Sequence, residues 1–360
     1  MNIKDYSKHT YYLLFIIVVL LSGFVLKILS SVIIPIIFAG FLSFMLIPAV
    51  KFLNQKTKLP WAFLSVMIVI ILLVTIVFVT YFLSIGITTI VQEYPKYEIE
   101  FSRILEIIAQ QLHMEFDKGK SSLQNLFIMG NLSNYIQEAA VTVSASVVNA
   151  LKSIFIVLLL LLFLLLETKA IKKKVLMSTN EVKRNQYLSF AKEITSEVVH
   201  YLSIKFLISF TTGTLVFITC LLFGLKFAIV WGFTAFIMNF IPTFGSIFSV
   251  AITTIFAILD FYPSWGKIAL LLVFMILVNF LLGNILEPRI EGKHLGLSTF
   301  VIIVFLIFFG FIWGFIGMII AVPLTVIIKI VCEHISFLHP IAILLSDDPD
   351  ATKQNLKTLD

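Results

Sequence analysis

Long apolar runs alternate with short polar or basic stretches along almost the whole chain, and the length of each run is the first structural signal. A bilayer crossing takes ~20 predominantly apolar residues. Positions 11–28 and 31–50 therefore predict two helices that turn near Lys27, Ser30 and Ser31, with Pro35 and Pro48 placed to kink the second. Further spans are predicted at about 61–91, 148–166, 206–224 and 265–286. The last begins beside Tyr262, Pro263 and Trp265, residues suited to an interfacial aromatic belt.

Two runs are too long to be ordinary crossings. Positions 225–259 and 298–331 each hold about 35 residues, or ~50 Å of helix at ~1.5 Å per residue, against a hydrocarbon core of ~30 Å. Each is either one long tilted helix with a break or a hairpin whose arms meet at the break, at 241–245 in the first and 310–314 in the second. Pro242 and Gly245 sit near the middle of the first run, and the paired layout echoes the broken-helix repeats of secondary transporters, which favours hairpins. The expected fold is an all-α integral membrane protein of about eight transmembrane helices, with two broken or re-entrant hairpins in the carboxyl-terminal half.

The polar intervals differ in character. Between 92 and 146 seven acids stand against four bases, and apolar positions recur at helical spacing in 101–112 and in 132–147. Two amphipathic helices around a polar turn at 118–125 are predicted there. Between 167 and 205 eight bases, Lys205 the last of them, stand against four acids. Leu188, Ala191, Thr195, Val198 and Leu202 mark an amphipathic helix along the membrane surface. The positive-inside rule puts this basic segment in the cytoplasm with Lys4, Lys8, Lys51, Lys56 and Lys58, and the acidic segment outside. Both termini are then cytoplasmic.

Composition removes the soluble classes. Of 360 residues, 60% are hydrophobic and 13% charged, with a mean hydropathy of +1.07, whereas a soluble domain carries about 25% charged residues. The net charge of +6 would suggest nucleic acid in a soluble chain, but here the bases sit between apolar spans and set orientation. Cys220 and Cys332 lie in or beside apolar segments and give neither a disulfide framework nor metal-ligand spacing. Gly119-Lys120-Ser121 resembles the end of a phosphate-binding loop, but that loop needs a glycine where Met114 stands. No nucleotide, metal or other cofactor is expected, and no motif of an intramembrane enzyme occurs.

The breaks carry the candidate chemistry. Asn239-Phe240-Ile241-Pro242-Thr243-Phe244-Gly245 interrupts the first long run, and Gly283-Asn284-Ile285-Leu286-Glu287-Pro288-Arg289 closes the span between the two long runs. In hydrocarbon an unsatisfied backbone group is expensive, so such breaks persist only where they face protein or line a watery cavity. Asn239 and Asn284 each offer an amide donor and acceptor, and breaks at Pro242 and Pro288 free backbone groups for a cation or hydroxylated solute. Glu287 is the candidate proton or sodium carrier, with Arg289 as its partner or an anion contact, because ionisable residues at membrane depth are functional suspects. The competing reading is a wet surface turn at 287–293. Asn239, Pro242 and Gly245 are expected to meet Asn284, Glu287, Pro288 and Arg289 at one substrate or ion pathway. Gly310, Gly314, Gly317 and Pro323 are expected to serve packing or hinge roles.

With Leu295-Gly296-Leu297-Ser298, Phe309-Gly310-Phe311-Ile312-Trp313-Gly314-Phe315-Ile316-Gly317 and Ala321-Val322-Pro323-Leu324, these two motifs resemble the hallmark of the autoinducer-2 exporter family over 198–333. Thr243 stands where that family usually has an aromatic residue, and Ser298-Thr299 where His-Pro is common. The resemblance implies a bacterial inner-membrane protein that exports small solutes, some members being associated with the quorum-sensing signal autoinducer-2 and others with sodium/proton antiport.

The organisation expected is an amino-terminal three-span region (1–91), extracytoplasmic amphipathic helices (92–146), a fourth span (147–166), a basic cytoplasmic amphipathic segment (167–205), a family-signature transport core (206–334) and a cytoplasmic tail (335–360). The leading reading is a secondary transporter or facilitative exporter whose partners are the lipid bilayer and a small solute or monovalent cation, with a homo-oligomer as an open option and no nucleic acid. A non-transporting membrane scaffold is the alternative from another class.

Overall fold

A computed structural model describes residues 17, 21–111, 151–168, 170, 174, 177, 181–291, 296–350 and 352. The helices are α1 (Ser30–Thr57), α2 (Trp61–Gln111), α3 (Leu151–Thr168), α4 (Glu181–Phe223), α5 (Ala228–Met238), α6 (Phe244–Phe261), α7 (Trp265–Asn279), α8 (Glu287–Glu291), α9 (Thr299–Glu333) and α10 (His339–Leu345). A π-helical turn, Phe280–Leu286, joins α7 to α8. Seven helices among the described residues are long and apolar enough to cross a membrane, and no strand longer than a single bridge occurs among them. The expected all-α membrane architecture is borne out. Side chains such as Leu222, 80% exposed, and Phe311, 78% exposed, would be a liability in water and form the outer surface that lipid covers.

The chain divides into two compact units, one of 1–69, 154–203 and 291–360, the other of 70–153 and 204–290. Each contains one of the overlong runs, and each run is a hairpin.

In the second unit the hairpin is α5–α6. Trp231, near the start of α5, lies 4.8 Å from Phe256, near the end of α6, and Phe227 lies 5.6 Å from the same ring, so the arms run antiparallel. With 11 residues, α5 is ~16 Å long and spans only about half of a ~30 Å hydrocarbon core. The tip turns through Thr243, whose φ of 64° is strained for a β-branched residue. It also requires Gly245, where a Cβ would stand 1.7 Å from the Met238 carbonyl oxygen.

In the first unit the hairpin is α9, bent at Gly314 with φ 64° and ψ −146°, a region close to glycine-only. A Cβ on Gly317 would stand 2.0 Å from the Phe309 carbonyl oxygen and one on Gly310 2.9 Å from Met318. A straight helix would hold residues eight apart ~12 Å from each other, so the arms fold back here. Val301, Ile302 and Phe305 of the first arm accordingly share a core with Val326 and Ile330 of the second. Trp313 Nε1 donates to the Leu26 carbonyl at 2.9 Å, tying the tip to helical residues 21–28. After α9 the chain returns through α10. Ser298 N–H donates to the Leu345 carbonyl and Asp347 N–H to the Gly296 carbonyl, both at 3.1 Å, so 339–347 is built onto the start of α9.

The structure differs from expectation in three places. α2 runs unbroken through 91 to Gln111, and α4 joins the predicted surface helix and fifth span into one helix. Hydrophobic periodicity reports which face is apolar, not where a helix stops; α2 carries on through Pro95, and the junction within α4 contains neither proline nor glycine. Third, Pro288 does not break the chain. It is the second residue of α8, directly after the π-helical turn, and the helix carries through it. The polypeptide stays helical from Trp265 to Glu291 and accommodates the irregularity as the π-helical turn. Residues 11–16 and 18–20 of the first predicted span (11–28), and the helix and turn predicted within 112–146, lie outside the described residues.

Candidate functional site

One face of α4 organises the polar groups of the second unit. Lys205, Ser209 and Thr212 are 3%, 0% and 1% exposed, and residues three and four apart on a helix share a face. Thr212 Oγ1 donates to its own helix, to the Ile208 carbonyl at 2.8 Å. Ser209 Oγ accepts a hydrogen bond from Asn239 Nδ2 at 3.1 Å, and Asn239 caps the end of α5 where the hairpin turns. One turn earlier, Lys205 Nζ forms a hydrogen-bonded ion pair with Glu287 Oε1, the two side chains being 4% and 15% exposed. Ile204 and Ile208 flank this pair and pack on Leu282 of the π-helical turn. A single helix face thus touches both sequence irregularities.

The backbone of α4 is held close to α5 by two glycines. A Cβ on Gly213 would stand 2.7 Å from the Gly232 oxygen, and one on Gly232 2.8 Å from the Gly213 oxygen. Only glycine at both positions permits that approach, and it sets Ser209 opposite Asn239.

The expected pathway residues are only partly gathered. Asn239 is buried and Glu287 nearly so, each through α4. Pro242 is half-buried in the tip, its carbonyl accepting from Phe244 N–H at 2.7 Å, and Gly245 is buried. Asn284, Pro288 and Arg289 are exposed, and among the described residues no hydrogen bond joins Asn284 to Asn239. The pairing expected between Glu287 and Arg289 is corrected: the partner is Lys205. Residues two apart on a helix do not face each other, so the guanidinium lies away from the carboxylate. Gly310, Gly314, Gly317 and Pro323 belong to the α9 hairpin of the other unit, where Gly314 supplies the bend and Pro323 is buried in the second arm.

Sequence reasoning missed Lys205 and Ser209. The usable signal was a lysine at the head of an apolar run with hydroxyls at four and seven residues beyond, which places all three on one stripe.

Two further features belong to this unit. On α6, Ser249 Oγ, Thr253 Oγ1 and Thr254 Oγ1 are buried without a hydrogen-bond partner among the described residues. At the open end of the α5–α6 hairpin, Lys226 Nζ pairs with Glu93 Oε2, Tyr97 Oη donates to the same oxygen at 3.3 Å, and Lys226 N–H donates to Asp260 Oδ2 at 3.3 Å. The hydrogen bond from Lys226 holds the Glu93 carboxyl below its ordinary range, and Glu93 in turn holds the Lys226 ammonium above its own. Burial first, and then the carboxylates of Asp260 and Glu93, push the Tyr97 phenol well above the ordinary tyrosine value.

Among known proteins, the model of a family described as AI-2E family transporter matches residues 14–337. The chain is 31% identical over 339 residues to the AI-2 transport protein TqsA of Escherichia coli, covering 92% of this chain and 93% of that protein. It is 30% identical over 350 residues to a Borreliella burgdorferi protein with a transport-protein name, covering 94% and 90%. A Haemophilus influenzae protein of similar name is 28% identical over 350 residues, covering 93% and 95%.

Proposed function

We propose that this chain, which belongs to the AI-2E family of transporters, carries a small hydroxylated solute outward across the bacterial inner membrane along the α4 face that bears Lys205 and Ser209. The observation that carries this reading is the buried Lys205–Glu287 pair. Charges within a membrane span are costly and are kept where they serve a pathway. This pair sits one helical turn from the Asn239–Ser209 hydrogen bond at a hairpin tip, so a solute that displaces either contact acts on the element that holds the two irregularities to α4. Similarity to a protein named for AI-2 transport supports autoinducer-2 or a related hydroxylated molecule as the solute.

Sodium/proton antiport is the second reading. It is favoured by the unpartnered oxygens of Ser249, Thr253 and Thr254 on α6, since buried hydroxyl oxygens with free lone pairs suit a small cation.

The deciding experiment is flux in liposomes containing only the purified protein. Autoinducer-2 efflux faster than in protein-free liposomes, lost in folded Glu287→Gln protein, is the expected result. Sodium-driven proton movement without solute flux would replace the first reading by the second, and no flux under any gradient would leave the scaffold.

A further inference from the structure

We propose that a cavity of about 1100 Å³ within the first unit is a binding site for an anionic group that carries hydroxyls, the chemistry shared by free glycerol phosphate and a phosphatidylglycerol headgroup. It stands apart from the transport reading, because the cavity belongs to the other unit and occupancy is measured without flux.

The walls are α1, α3 and the first half of α4. Three of the lining hydroxyls have already given their protons to their own helices. Ser43 Oγ donates to the Gly40 carbonyl at 2.8 Å, Thr168 Oγ1 to the Leu164 carbonyl at 2.8 Å, and Thr195 Oγ1 to the Ala191 carbonyl at 2.7 Å. A hydroxyl has one proton and two lone pairs, so each of these oxygens is left as an acceptor and asks for a ligand that brings donors. Lys192 supplies the opposite need. Lys192 lines the same cavity, its ammonium donates only, and no carboxylate stands among the lining residues. One cation and several acceptor oxygens are complementary to one anionic group plus hydroxyl donors. Phe44 and Ile47 add an apolar wall for a short hydrocarbon part. Charge along the chain agrees: α1 continues past Pro48 into Lys51 and Lys56, a basic field that raises the local concentration of anions.

The test uses the full chain purified in neutral detergent, titrated with glycerol phosphate by calorimetry, and in parallel the chain in bilayers of zwitterionic lipid with and without phosphatidylglycerol, followed by thermal melting. Binding in at least one arm is expected. A charge-assisted hydrogen bond implies a weakening of about tenfold or more in Lys192→Gln. Thr195→Val, which keeps the shape and removes an acceptor, should weaken binding several-fold, and Lys51→Gln, outside the lining, should leave affinity within about twofold, as surface substitutions do. A response to free glycerol phosphate identifies a soluble ligand, and a response confined to phosphatidylglycerol bilayers identifies a lipid headgroup. No response in either arm, or equal losses in Lys192→Gln and Lys51→Gln, overturns the site.

Discussion

Lys205 of α4 and Glu287 of α8 are 82 residues apart in the chain and joined by an ion pair almost sealed from the surroundings. The charges are expensive to bury singly and tolerable together, so the pair acts as a clasp between α4 and the helix that follows the π-helical turn. Its partner one turn on, Asn239 with Ser209, clasps the hairpin tip to the same helix.

The clasp predicts a non-additive mutant cycle. Lys205→Gln and Glu287→Gln each strand a buried charge and should each lower stability by about 3–5 kcal/mol. The double variant places two neutral amides side by side and should recover at least about 1 kcal/mol of the summed loss. Thermal melting of the four proteins in one detergent measures this, and strictly additive losses would mean that the two side chains act independently.

Asn239→Ala should separate transport from folding. It removes one amide from the buried Ser209 hydroxyl at a cost of about 1–3 kcal/mol, which leaves a folded protein, yet it loosens the tip from α4. Flux normalised to folded protein should therefore fall well below that of Phe240→Leu, a change on the same turn that keeps the hydrogen bond. Equal flux in the two variants would place the tip outside the pathway.

How much of this was legible in sequence depends on which physical signal each feature leaves. Both hairpins were, because ~50 Å of apolar helix does not fit a ~30 Å core and because Pro242, Gly245 and the glycines at 310 and 314 mark where the excess folds back. The π-helical turn was not: 280–286 is an ordinary apolar run apart from Gly283 and Asn284, and the neighbouring Pro288 suggested a break where the structure keeps a helix. Lys205 was hidden by its neighbours. Standing last in a basic stretch, it looked like one more topology signal, and only the fold shows that the carboxylate 82 residues later is its partner.

The hairpin tips predict a sharp contrast among glycines. Gly245→Ala would drive a methyl to 1.7 Å from the Met238 oxygen, and Gly314→Ala would force a side chain into a conformation that costs about 1–3 kcal/mol. Gly283→Ala, with nothing within 4 Å of the added atom, should be close to neutral. Melting temperatures in detergent should fall for the first two and hold for the third; a loss at Gly283 as large as at Gly245 would contradict the packing described.

The Lys226–Glu93 pair predicts a pH and salt signature. Glu93 has a folded pKa below its unfolded one, so its contribution is present above the unfolded value and disappears as pH falls through the folded value. Lys226 is raised, so its contribution is full below its unfolded pKa and disappears as pH rises through the folded one. Glu93→Gln should therefore lower the melting temperature slightly across the neutral range and make no difference once acid has protonated Glu93. Both side chains are about a third exposed, at 37% and 33%, so added salt should shrink the difference as well. A difference that persists in acid would locate the effect in packing rather than charge.

The length of α2 turns orientation into a direct test. At 51 residues it is ~76 Å long, more than twice a ~30 Å hydrocarbon core, while its membrane-compatible stretch is Trp61–Ile90. The helix must therefore leave the bilayer at one end, and the two ends must lie on opposite sides. Lys51, Lys56 and Lys58 precede it, and acids outnumber bases from 92 to 146, so the positive-inside rule sends its start to the cytoplasm and its far end outside. Both native cysteines, Cys220 and Cys332, are buried and are replaced by serine to give a clean background. In intact cells Glu106→Cys should react with a membrane-impermeant thiol reagent and Lys56→Cys should not, whereas after permeabilisation both should react, because Lys56 is exposed in the folded chain. The reverse pattern would invert the orientation of every span; reaction at both sites before permeabilisation would mean that α2 does not cross the membrane.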